Sequence, residues 1–176
     1  MRLNRLSDVR ILIVEDDAEV RGIIEAMLTE AGMTVATAAT AWIALDLLER
    51  NEFNLMVTDL NLPGGLDGKE LVCYARSRHP SLKSLFISGI WGPVGDDPVR
   101  DEFIAKPFYE RELLGCVWEL LSREFPQEQV IITSAEASAL AVVEAKIRSP
   151  RATVPFGMWP GIDGAAGECG GMDTAC

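Results

Sequence analysis

Apolar positions along the chain recur in two rhythms. Residues 9–14, Val-Arg-Ile-Leu-Ile-Val, form a short run rich in β-branched residues. It reads as a strand covered on both faces, which is apolar nearly throughout. After Asp17 the spacing lengthens: Val20, Ile23, Ile24, Met27, Leu28 and Ala31 recur at helical intervals, and Gly32 closes that helix. The alternation then repeats. Residues 34–37 predict a second strand, and 41–50 a helix with Thr40 as its N-cap. Residues 54–59 predict a third strand, and 69–78 a helix entered from the loop Pro63-Gly-Gly-Leu-Asp-Gly68. A fourth strand follows at 83–88, a fifth at 103–105, and a closing helix at 110–124 with Leu113, Leu114, Val117, Leu120 and Leu121 inward. Between strands four and five, Gly89, Gly92, Pro93, Gly95 and Pro98 do not support a full helix; at most Asp97-Pro98 starts a single turn.

Strands that alternate with helices pair in parallel through right-handed crossovers, which gives a doubly wound α/β sheet. Residues 8–124 make one such domain. Residues 125–148 are a linker and a short amphipathic helix, opened by the capping-box spacing of Thr133 and Glu136 and striped by Leu140, Val143 and Ile147. That helix is too short to stand alone. It packs its stripe on the domain, packs it on a second protomer, or frays. Residues 149–176 are rich in Pro and Gly, a composition that predicts disorder.

Composition narrows the function. Aliphatic residues supply most of the 48% apolar content and aromatics only 7%, which suits helices on a sheet. A formal charge of −11 argues against direct nucleic-acid binding, which needs clustered Lys and Arg. No apolar run approaches the roughly 18 residues of a membrane span. Arg2 and Arg5 precede no apolar segment of the secretory kind, so a cytoplasmic protein is expected. The four cysteines form no C-x-x-C pair, and His79, the one histidine, sits beside Pro80 as a solvated helix-end residue; a zinc site has no support.

The carboxyl ends of strands in such sheets gather the chemistry. Here those ends carry Glu15, Asp16, Asp17, Asp59, Ser88 and Lys106, from four strands. Clustered carboxylates repel one another unless a cation lies among them. Mg2+ suits the cluster, since it takes oxygen ligands and needs only one or two direct carboxylates beside water and phosphate. Taken singly, Asp16 and Asp17 read equally well as helix caps, Asp59 as a turn residue, and Lys106 as a solvated lysine. Jointly, at one edge, those readings lose force.

The residues Ile-Leu-Ile-Val-Glu15-Asp16-Asp17, Val-Thr-Asp59-Leu-Asn61-Leu-Pro63, Leu-Phe-Ile-Ser88-Gly89 and Ala-Lys106-Pro107-Phe108 resemble, in order and spacing, the receiver domains of bacterial two-component response regulators. The resemblance covers about residues 8–124 and implies a flavodoxin-like strand order 2-1-3-4-5, here with a shortened fourth helix. It implies that Asp59 is the phosphoacceptor, with Mg2+ held by Glu15, Asp16, Asp59 and the backbone carbonyl of Asn61. Asp17 then caps its helix. Lys106 matches the lysine that contacts the phosphoryl group, Ser88 the switch hydroxyl and Phe103 the aromatic switch. Asn61 and Ile90 match the positions flanking the acyl phosphate. The implied partners are a histidine kinase or histidine phosphotransfer protein, with the downstream protein unspecified and a homodimer left open. With no recognisable output domain, the expected protein is a stand-alone receiver that catalyses only its own phosphorylation and dephosphorylation. Two rivals are an unphosphorylated receiver-like scaffold and a metal-dependent phosphatase. The second commonly places another acid two residues after its nucleophile, where this chain has Asn61.

Overall fold

The computed structural model describes residues 8–89, 97–123 and 134–148. Five parallel strands, β1 (Arg10–Val14), β2 (Thr34–Ala38), β3 (Leu55–Asp59), β4 (Lys83–Ser88) and β5 (Asp101–Ala105), form one sheet in the order β2-β1-β3-β4-β5. The helices are α1 (Ala18–Glu30), α2 (Ala41–Arg50), α3 (Gly68–Arg78), α4 (Glu110–Ser122) and α5 (Ser134–Arg148). The doubly wound fold is therefore the one expected. In register, Val14 lies beside Thr58, Asp59 beside Ile87 and Ser88 beside Ala105, so the strand ends come level at one edge.

Alternate strand residues feed two apolar layers, as the two-residue repeat requires. Leu12, Val14, Met56 and Phe86 join a cluster with α2 and α3, while Ile11, Ile13, Leu55, Val57, Leu85, Ile87 and Ile104 join one with α1 and α4. Ile24 and Leu28 of α1 are buried, but Ile23 is 53% exposed despite its place in the apolar repeat. Its angular position carries it past the edge of the sheet-facing stripe. β5 begins two residues earlier than its apolar run, because Asp101 and Glu102 pair with β4 although both are acids.

Between β4 and β5 the described residues hold only a turn over 98–100. The Asp97 side chain caps it, accepting from the backbone N–H of Val99 and Arg100. Ile90 and the Gly- and Pro-rich stretch around it lie outside the described residues, as do 124–133 with Thr133, and the tail from 149. The α2–α3 layer also receives α5, which packs on α3 with Val143 fully buried and Ile147 partly buried against the same cluster. Lys146 adds an ion pair to Glu70. Of the stripe, Val143 and Ile147 lie on the α2–α3 cluster of the same chain.

Candidate functional site

Four chain segments bring side chains to the carboxyl edge. β1 ends at Val14, and its apolar residues anchor the strand so that Glu15 enters buried, 2% exposed, while Asp16 stays in solvent. Asp17 is the N-cap of α1, accepting from the N–H of Glu19 at 2.8 Å and of Val20 at 3.1 Å. That settles the capping question and leaves Asp16 without that duty. These backbone donors hold the Asp17 carboxyl below its ordinary value. Asp59, the last residue of β3, is buried. Its Oδ1 accepts from the Asn61 N–H at 2.8 Å and its Oδ2 from Lys106 Nζ at 2.6 Å.

Lys106 follows β5 at a cis Lys106-Pro107 bond, and its N–H donates to the Ser88 carbonyl at 2.8 Å. Its ammonium reaches across to Glu15 Oε2 at 2.7 Å as well as to Asp59. Burial alone would pull this lysine down, but the two carboxylates outweigh it and hold the ammonium above its usual value. Burial pushes the Glu15 carboxyl up against the opposing pull of Lys106, and the Asp59 charge adds to the rise. Ligand oxygens of Glu15, Asp16 and Asp59 can lie within 4.8 Å of one another. At that separation, like charges repel by about 3 kcal/mol at an effective dielectric of about 20. One ammonium does not balance three carboxylates. The donor set is all oxygen, clustered and partly open, which is what Mg2+ takes.

Of the remaining expected residues, Ser88 is fully buried at the end of β4. Asn61 is exposed just past Asp59, and Phe103 is half-buried in β5 against the α2–α3 layer. His79 stands apart as the C-cap of α3, with its Nε2 3.0 Å from the Leu48 carbonyl oxygen. It is half-buried rather than wholly solvated.

Two supporting residues escaped the sequence reading. Arg21 donates from Nη1 to the backbone carbonyls of Glu15 at 2.6 Å and Asp16 at 3.3 Å, tying α1 to the acidic turn. Its place in the turn after the Asp17 cap was the available signal. Gly68 opens α3 so close to β3 that a Cβ would meet the Asp59 carbonyl oxygen at 2.1 Å. Its N–H donates to Leu60 O at 3.0 Å. Placed by the sequence at the end of the entering loop, it is required by a close backbone approach.

A doubly wound sheet with an acid triad and a lysine on its carboxyl edge is the arrangement that the comparisons with known proteins also find. The family model for the response regulator receiver domain matches residues 11–118, and the chain belongs to that family. It is 33% identical over 116 residues to the response regulator receiver protein CpdR of Brucella abortus, covering 64% of this chain and 96% of that one. With the cell cycle response regulator CtrA of Brucella ovis it shares 28% identity over 134 residues, 73% of this chain but 56% of that protein's length. The solved receiver domain of the hybrid histidine kinase CckA is 31% identical, with a TM-score of 0.57, over 64% of this chain and 99% of that one. Receiver domains are signalling modules of two-component systems, not classical enzymes. The family match ends before α5. Among the described residues no helix is long and apolar enough to cross a membrane.

Proposed function

We propose that the chain takes a phosphoryl group onto Asp59 from a phosphohistidine of a separate kinase or phosphotransfer protein and thereby changes its contacts with a downstream partner. The observation that carries this reading is the unbalanced acid cluster, in which Asp59 meets Glu15 and Asp16 with Lys106 as the cation bonded to it. A carboxylate oxygen of Asp59 attacks phosphorus while the phosphorus–nitrogen bond to the donor imidazole breaks. The imidazole nitrogen keeps that electron pair and takes a proton, and the product is an acyl phosphate.

The side chains of Glu15, Asp16 and Asp59 and the Asn61 carbonyl would hold Mg2+, which when bound neutralises oxygen charge during the transfer. The Asn61 N–H fixes one oxygen of Asp59 and so orients the carboxylate. Lys106 exchanges its bond to Asp59 for one to a phosphoryl oxygen, while Glu15 keeps it at the edge. The Ser88 hydroxyl, at the neighbouring strand end, answers the new oxygens, and Phe103 on the adjoining strand relays that change to the α2–α3 layer. Intact mass after incubation with Mg2+ and a small-molecule phosphodonor tests the assignment. Wild type gains one phosphoryl mass and Asp59→Asn gains none; an equal gain in both overturns it, and no gain in wild type favours an unphosphorylated scaffold.

A further inference from the structure

The segment between Asp59 and Gly68 carries Asn61 past the site and is held by anchors of different kinds. Leu62 and Leu66 are buried in the α2–α3 cluster, and Gly68 is locked against the backbone of Asp59. Between these anchors Pro63, Gly64 and Gly65 lie at the surface. Gly64 and Gly65 both have positive φ, 98° and 86°, so the stretch consists of residues with much freedom to lose. Among the described residues, the Trp42 side chain reaches it from outside. The Trp42 indole Nε1 donates to the Gly64 carbonyl at 3.2 Å, and a Cβ on Gly64 would lie 3.6 Å from that nitrogen and 3.7 Å from Cδ1. Trp42 belongs to the first turn of α2, whose N-cap Thr40 accepts from the Ile43 N–H. The ring is packed against the apolar cluster beneath it. A helix packed on the core thus presents a donor to the glycine pair of this loop.

We propose that Trp42 is a positioning residue for this loop: by holding Gly64 it fixes the Asn61 carbonyl where a divalent cation meets the acid cluster. The proposal rests on the Mg2+ reading above and adds a residue to it. Mg2+ demands near-ideal octahedral geometry, so a carbonyl already held in place binds it better than one that must be ordered first. The contact is at the surface, where solvent competes for it, so its effect falls on loop order more than on global stability.

The test is Mg2+ titration of the full chain by calorimetry, wild type against Trp42→Phe. Amide exchange of residues 61–65 and the thermal midpoint are measured in metal-free protein beside it. Phenylalanine keeps a ring over Gly64 and lacks the donor. Loss of a hydrogen bond worth about 1 kcal/mol predicts about fivefold weaker Mg2+ binding. Loop exchange should quicken while the metal-free midpoint changes little. Equal Mg2+ affinity in both proteins overturns the proposal alone. A midpoint drop with faster exchange across the whole sheet also overturns it, since Trp42 would then be a packing residue. A wild-type protein that binds no Mg2+ overturns both this proposal and the reading beneath it.

Discussion

Both edges of the sheet bury charge, but they balance it differently. At the amino edge, Arg76 of α3 pairs with Asp101, donates to Ser84 Oγ at 2.9 Å and reaches the Leu82 and Arg100 carbonyls. Asp101 also accepts from Ser84 Oγ at 2.5 Å and from the Asp97 N–H at 3.3 Å. Beside it, Lys83 donates to the carbonyls of Leu120, Leu121 and Arg123 and so caps the C-terminal end of α4. Arg123 pairs with Glu102 and Glu119. The two arginines meet carboxylates, and Lys83 is closed off by carbonyls. At the carboxyl edge three acids face one lysine, while the Arg21 guanidinium is held on the backbone carbonyls of Glu15 and Asp16 rather than on their carboxylates. Among the described residues no buried side-chain nitrogen or oxygen lacks a hydrogen-bond partner, so satisfaction of hydrogen bonds does not tell the edges apart. Charge excess does: a closed network fastens elements together, and an open one fits the cation and phosphoryl group proposed for it.

The sharpest way to break that comparison is to open the closed edge. Asp101→Ala leaves the Arg76 guanidinium, 11% exposed, without its carboxylate. Removing one partner of such a buried pair costs about 3–5 kcal/mol. The unfolding free energy from denaturant titration should fall by that amount, while the folded fraction still takes a phosphoryl mass on Asp59. A small stability loss, or lost phosphorylation in folded protein, would show that the two edges are not separate in role.

A smaller effect compares one lysine from each edge. Burial, helped by the nearby Arg123 charge, pulls Lys83 below the ordinary 10.5. Lys106 rises above 10.5 because its two carboxylates overcome burial. The signs of the linked stability differ accordingly. The raised Lys106 contributes stability fully present below 10.5, which is lost as pH climbs through its folded value. For the depressed Lys83 the unfolded chain holds the proton longer, so stability rises with pH through the window just below 10.5. Side-chain NMR titration of the two ammonium groups should find Lys106 the last to deprotonate, and the reverse order would contradict the electrostatics described here.

The carboxyl edge was legible in the sequence because its signal is local. Three apolar strand runs stop at a polar residue that belongs to the site: Glu15 after β1, Asp59 closing β3 and Ser88 closing β4. Lys106 stands directly after β5. The amino-edge network has no such signal. Arg76 and Asp101 lie 25 residues apart, one on an outer helix and one opening a strand, and only the folded register brings them together. Trp42 and Gly64, 22 residues apart, were silent for the same reason. α5 was legible as an amphipathic helix but not as a tenant of its own domain, because a stripe of Leu140, Val143 and Ile147 does not name the surface it covers.

The central claim is that the acid excess at the carboxyl edge is a cation site, and its most direct test is the Mg2+ dependence of unfolding. Asp16 is exposed, so Asp16→Asn removes a proposed ligand without disturbing the core. Mg2+ at about a hundred times its dissociation constant should stabilise wild type by about 2.7 kcal/mol. It should raise the thermal midpoint accordingly, while the same concentration moves Asp16→Asn far less. A wild-type midpoint that ignores Mg2+, or an equal rise in the variant, would contradict the account.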